Sequence, residues 1–161
     1  MTAPRAPLPF DSRAAVCAGV VSGIVATLAQ VALWAMLTDA LPAILYRDAR
    51  LAAAVVLGSR VLPPPATFDL DVMLAATLVH FAVAVGWTLV LAAALTRLPA
   101  RLAPAAGALF GLVVYAIDLH GFTVFFPWFA ESRDAIAVAA HVVYGLAAAG
   151  AYVALARLRR G

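Results

Sequence analysis

The chain has 161 residues, of which 66% are hydrophobic and 12% charged, with a formal net charge of +3. That balance excludes an ordinary soluble globular domain and points to a bilayer as the main solvent. All eleven basic residues are arginines at the ends of apolar stretches rather than in a stripe interleaved with aromatics, which excludes nucleic acid as a partner.

Taken in chain order, the first apolar run, residues 14–37, follows Arg5 and Arg13 as a signal peptide would. It is longer than the roughly 7–15 residues of a signal core, so it is expected to remain as the first transmembrane span. The single cysteine, Cys17, lies in it beside small residues, with no partner for a disulfide or a CxxC pair, and is expected to be a packing residue. Residues 42–58 alternate Ile44, Leu51 and Val55 with Arg47, Asp48 and Arg50, an amphipathic pattern for a helix on the outer membrane surface or capping the bundle. Pro63, Pro64 and Pro65 then predict a stiff extended stretch, and Asp69 or Thr67 an N-cap for the second span, 70–95.

The short turn after that span predicts that spans two and three are antiparallel neighbours. Span three, about 102–126, is interrupted near its end by Asp118, His120 and Gly121, and span four covers 135–156. Between them Phe122, Phe125, Phe126, Pro127, Trp128 and Phe129 form an aromatic turn, with Trp128 suited to the headgroup interface; a quinone or lipid pocket on these rings is the functional alternative. The fold class is therefore an all-α four-helix transmembrane bundle in a single domain, 1–161. Arg5, Arg13, Arg97, Arg101, Arg157, Arg159 and Arg160 outnumber Arg47, Arg50, Arg60 and Arg133, which places both termini in the cytoplasm by the positive-inside rule.

Gly19-x-x-x-Gly23 and Gly107-x-x-x-Gly111 stand at similar depths in spans one and three, as in a parallel repeat of a two-helix hairpin. The two motifs are expected to face each other inside the bundle, with homodimerisation or a larger membrane complex as the other use of such faces. Ionisable residues in a span default to a functional reading. His80, Asp118, His120 and His141, with Gln30, Tyr115 and Tyr144 beside them, all fall in the outer half of the bilayer by a rise of about 1.5 Å per residue. A transmembrane path needs polar groups along its whole length, so an outward-facing pocket fits better. In it His80, Asp118 and His141 are expected to bond one another, with His120 at the mouth, Gln30 and Tyr144 lining it, and Tyr115 sharing a face with Asp118.

No nucleophile motif, HExxH or phosphate loop is present, so no enzymatic activity is expected. The leading expectation is a membrane protein that binds a small ligand, or assists transport or stress tolerance, through that pocket. The alternatives are an accessory subunit binding a b-type haem through the histidines or a divalent metal with Asp118 and His120, and a purely structural subunit.

With Gly19 and Gly23, His80, Gly107 and Gly111, the Pro127-Trp128-Phe129 turn and His141, the chain resembles the YagU-like small inner-membrane proteins of bacteria. It is also similar to short proteins that carry a sodium:proline symporter label. The resemblance runs over most of the chain and implies a four-helix fold in an inner membrane. YagU-like proteins have a longer polar loop than this chain, and sodium symporters of that class use many more helices, with broken ones at the ion site.

Overall fold

The computed structural model describes residues 10–159, so Arg5 and Arg160, two of the arginines counted for orientation, lie outside the described residues. The described chain is all helix and loop, with α1 at Ser12–Leu37, α2 at Ala43–Leu57, α3 at Leu70–Leu95, α4 at Ala103–Ala116 and α5 at Ala135–Leu158. A 3-10 turn precedes α4, and a π turn, Ile117–Gly121, followed by a 3-10 turn, Phe122–Val124, prolongs it. Four helical segments are long and apolar enough to cross a membrane: Ser12–Leu37, Leu70–Leu95, Ala100–Val124 and Ala135–Leu158. They are the spans of an all-α four-helix bundle.

Local chemistry explains where the spans start. Aspartates cap α1, α3 and α5: Asp11 Oδ1 accepts from the Ala14 N–H at 3.0 Å, Asp69 Oδ1 from Asp71 and Val72 at 3.0 and 3.2 Å, and Asp134 Oδ1 from Ala137 at 2.7 Å. Each meets backbone donors that the first turn of a helix leaves without partners. The hydrogen bond from Ala14, with Arg159 nearby, holds the Asp11 carboxyl below the usual carboxylate range. Arg159 Nε donates to Asp11 Oδ2 at 3.0 Å, and the buried Tyr152 hydroxyl accepts from the Asp11 N–H at 3.3 Å. The start of α1 and the end of α5 thus share one face of the bundle.

The helices pack as a ring. Helix α1 lies between α3 and α5, and α5 between α1 and α4; α3 and α4 close the ring but touch only sparsely. The glycine motifs explain this arrangement and correct the expected one. A Cβ on Gly19 would strike the Val85 backbone, and one on Gly23 would meet the rings of Phe81 and His80, so the first motif seats α1 on α3. A Cβ on Gly107 would collide with the Gly145 carbonyl, one on Gly111 with the His141 carbonyl, and one on Gly145 with the Gly107 carbonyl. The second motif therefore seats α4 on α5, and the two motifs do not face each other. Each hairpin uses its first helix's glycines against its own second helix, where backbones can approach closely. Spans two and three, expected as antiparallel neighbours, stand side by side in the ring but touch sparsely, and the Trp87 and Phe110 rings meet edge to face across the seam at 6.1 Å.

Helix α2 caps the end of the bundle opposite the start of α1 and the end of α5 by packing on α3, where Ala53 meets Val72, Ala75 and Ala76. Its charged residues are not all solvated: Arg50 is 8% exposed. Its guanidinium donates to the carbonyls of Val61 at 3.1 Å and Thr67 at 3.2 Å, which fastens the proline loop to α2. Residues 63–65 bend under this anchorage instead of running extended. Cys17, expected in packing, is exposed on the outer surface of α1.

The glycine contacts generate a prediction. Gly111→Ala and Gly145→Ala should each lose about 1–3 kcal/mol through overpacking, read as a lowered melting temperature in detergent. Gly150→Ala, where a Cβ meets nothing, should melt like the wild type or slightly higher.

Candidate binding pocket

In a helix without water around it, every polar side chain needs an internal partner or a cavity. The half of the bundle beneath α2 supplies both. A cavity of about 290 Å³ is lined by Gln30 of α1, Ala52 and Val55 of α2, His80, Val83 and Trp87 of α3, Asp118 of the π turn, His141 and Tyr144 of α5, and Phe122, Phe126 and Phe129 beyond α4. Its volume lies at the lower end of the roughly 300–1,000 Å³ usual for small-molecule sites. Apart from a few convergent polar groups its wall is apolar.

Five of the sequence-predicted residues thus stand around one cavity: Gln30, His80, Asp118, His141 and Tyr144. They do not bond one another in the expected way. His80 Nε2 lies 3.2 Å from the Gly23 carbonyl, which can only accept, so this nitrogen carries the hydrogen; the Thr27 hydroxyl stands at the same distance. His141 Nδ1–H donates to the Ala137 carbonyl at 2.7 Å, the preceding turn of its own helix. Asp118 Oδ1 accepts from the Trp87 indole N–H at 3.1 Å rather than from an imidazole. The Tyr144 hydroxyl donates to the Ala84 carbonyl at 2.7 Å, and Thr88 therefore donates to the Tyr144 oxygen at 2.8 Å. Asp118 and His141 each commit one polar atom to these bonds and keep a second for the cavity.

Tyr115 and His120 are not among the lining residues. The π turn separates them from Asp118: His120 is exposed and lies edge-on to the Tyr115 ring at 5.6 Å, while Tyr115 packs edge-on against His141 at 5.5 Å. Tyr115 therefore backs the His141 ring instead of sharing a face with Asp118, and His120 does not form the mouth. The π insertion, a device frequent at functional sites, turns Asp118 inward. The Leu119 carbonyl within it accepts from Arg133 Nε at 2.7 Å, and Arg133 Nη2 donates to the Thr123 hydroxyl at 2.9 Å.

The roof of the cavity joins α2 to the aromatic turn. Trp128, expected as an interfacial anchor, donates its indole N–H to the Leu51 carbonyl at 2.9 Å, and Ser132 Oγ donates to Asp48 Oδ1 at 3.3 Å. Sequence reasoning missed Trp87, Arg50 and Gly145. Gly145 and Ala149 form a small-x-x-x-small pair that would have pointed to it, whereas the reach of Trp87 to Asp118 has no local signature.

Neither proposed inorganic group fits. Among the described residues no three His, Cys, Asp or Glu side chains gather as a metal site, because His120 is turned away. A tetrapyrrole exceeds the cavity, and His80 Nε2, the less hindered nitrogen for an axial bond to iron, is already engaged at Gly23 and Thr27. The fold and the cavity define a small multi-pass helical membrane protein with an internal pocket. Compared with protein-family models, curated proteins and solved structures, the chain matches none.

The roof carries a pH prediction. Burial pushes the Asp48 carboxyl above its ordinary value, while the Arg47 guanidinium at 2.7 Å and the Ser132 hydroxyl oppose the shift. With the folded value raised above the unfolded one, the native state binds more protons in the window between them, so this group's contribution to stability falls as pH rises through it. The melting temperature of the wild type should therefore gain on that of Asp48→Asn as pH drops from neutral toward 4; parallel melting curves at every pH would contradict the assignment.

Proposed function

We propose that this chain is a non-enzymatic protein of a bacterial inner membrane, with both termini in the cytoplasm, that binds a small amphipathic molecule in the outer half of the bilayer. One observation carries the reading. Gln30, Asp118 and His141, from three different helical segments, reach one largely apolar cavity while keeping hydrogen-bonding capacity that no described residue uses. Gln30 makes no hydrogen bond, Asp118 has a second oxygen, and the neutral His141 ring has an accepting Nε2. Polar capacity that faces an apolar cavity within a bilayer costs free energy unless something fills it, and a ligand with a polar edge and an apolar body would do so. The apolar inner half offers no continuation toward the other face, which favours binding over conduction.

The pocket reading is tested by filling it. Ala140, buried in the cavity wall, becomes phenylalanine, and organic molecules that co-purify with each form from membranes are extracted and compared by mass spectrometry. A species retained by the wild type and lost from a normally melting Ala140→Phe supports the reading; identical extracts from both refute it. Orientation is tested separately with a cysteine at Pro99, in a cysteine-free background, which should label only after the membrane is opened. Strong labelling from outside intact cells would reverse the topology.

A further inference from the structure

The cavity is covered from the outer face by α2 and by Phe126 and Phe129, yet two other lining residues remain well exposed: Val83 at 40% and Phe122 at 39%. They belong to α3 and to the turn after α4, the neighbouring spans in the ring that touch least. In a bilayer that seam faces acyl chains, so a molecule reaching the cavity through it comes from the lipid phase. At the level of Asp118 the seam is bridged by a single polar link, the Trp87–Asp118 hydrogen bond.

The polar groups define what such a molecule must present. Gln30 on α1 and Asp118 beyond α4 stand on diagonal corners of the ring of helices, and Phe122, Phe126 and Phe129 line the same cavity. Asp118 Oδ2 and His141 Nε2 accept hydrogens, whereas Gln30 both donates and accepts. The site is acceptor-rich, so its occupant must bring hydrogens to donate. A flat aromatic body suits the phenylalanine walls, and oxygens at opposite ends of one ring suit the diagonal placement.

We propose, resting on the pocket reading above, that the occupant is a lipid-soluble quinol, admitted sideways through the α3–α4 seam. One hydroxyl donates to Asp118 Oδ2, and the oxygen across the ring pairs with the Gln30 amide. An ionised carboxylate can only accept, so the site prefers the quinol to the quinone, whose carbonyls bring no hydrogen. Asp118→Asn reverses that preference: the amide oxygen still accepts from Trp87, and the new N–H₂ donates to a carbonyl.

The test is equilibrium and kinetic binding of a tritiated short-tailed benzoquinol, kept reduced, and of its quinone, to the full chain in lipid nanodiscs. The wild type should bind the quinol saturably and about tenfold tighter than the quinone, the effect of one hydrogen bond to a charged group. Asp118→Asn should invert the order, Gln30→Leu should weaken both, and Val83→Trp should slow association by plugging the seam. Equal affinity for the two forms in both the wild type and Asp118→Asn overturns the quinol assignment, as does stronger binding of a lipophilic aromatic ammonium. In either case retention of another molecule by the wild type but not by Ala140→Phe keeps the pocket reading intact. If no probe binds the wild type above the level of a well-folded Ala140→Phe, and their extracts match, both proposals fall together.

Discussion

Helices α4 and α5 meet backbone to backbone at Gly107, Gly111 and Gly145, where a single added carbon on any of the three would strike a carbonyl of the facing helix. Lipid gives helices no hydrophobic reason to associate, so contact this close supplies much of what holds them together. Drawing α4 onto α5 takes it away from α3. The gap is kept open by the bulk of Trp87 and Phe110, whose rings prop the seam instead of interlocking with it. The cavity beneath α2 is thus a consequence of uneven packing around the ring: tight where glycines face glycine, loose where aromatics face each other.

Within that gap the polar side chains obey the rule that backbone and side-chain groups in a membrane must be met internally. His80 reaches a carbonyl on α1 that Gly23 leaves uncovered, and His141 bonds the carbonyl one turn back on its own helix. The same rule shapes the outer end. Arg50, Arg133 and Trp128 each donate to main-chain carbonyls in or near the loops, and together they bind α2, the proline loop and the aromatic turn into one roof. Charged residues that look like surface punctuation in the sequence therefore act as internal clamps. Ion pairs at the margins, such as Arg159 with Asp11, are half exposed and add little by comparison.

The spans were legible because their signal is long and one-dimensional: four apolar runs bounded by arginines, prolines and aspartates that cap helices. That Gln30, His80, Asp118, His141 and Tyr144 would share one level of the bundle was an inference of the same kind, since a fixed rise per residue turns sequence position into height, and these five line one cavity. What depended on rotation about the helix axis was not. Gly107 and Gly111 have the same spacing whether they face α1 or α5, and only Gly145 on α5 decides between them. The π turn adds a residue to the spiral, so Tyr115 and Asp118, three apart and nominally on one face, part company, and His120 swings outward. Cys17 stands among small residues but on the exposed side of α1, a distinction composition does not carry. Loop-borne partners of α2 were invisible because nothing in the alternation of residues 42–58 marks Arg50 as the charge that turns inward.

The uneven ring is tested most directly by measuring distances between spin labels on exposed positions in nanodiscs. One pair spans the tight contact, Leu112 of α4 with Leu146 of α5; the other spans the loose one, Leu112 with Val90 of α3. The account predicts a narrow distribution for the α4–α5 pair that is indifferent to Trp87→Phe, and a broad one for the α3–α4 pair that shifts when Trp87 loses its bond to Asp118. Equally narrow distributions for both pairs, with neither responding to Trp87→Phe, would contradict it.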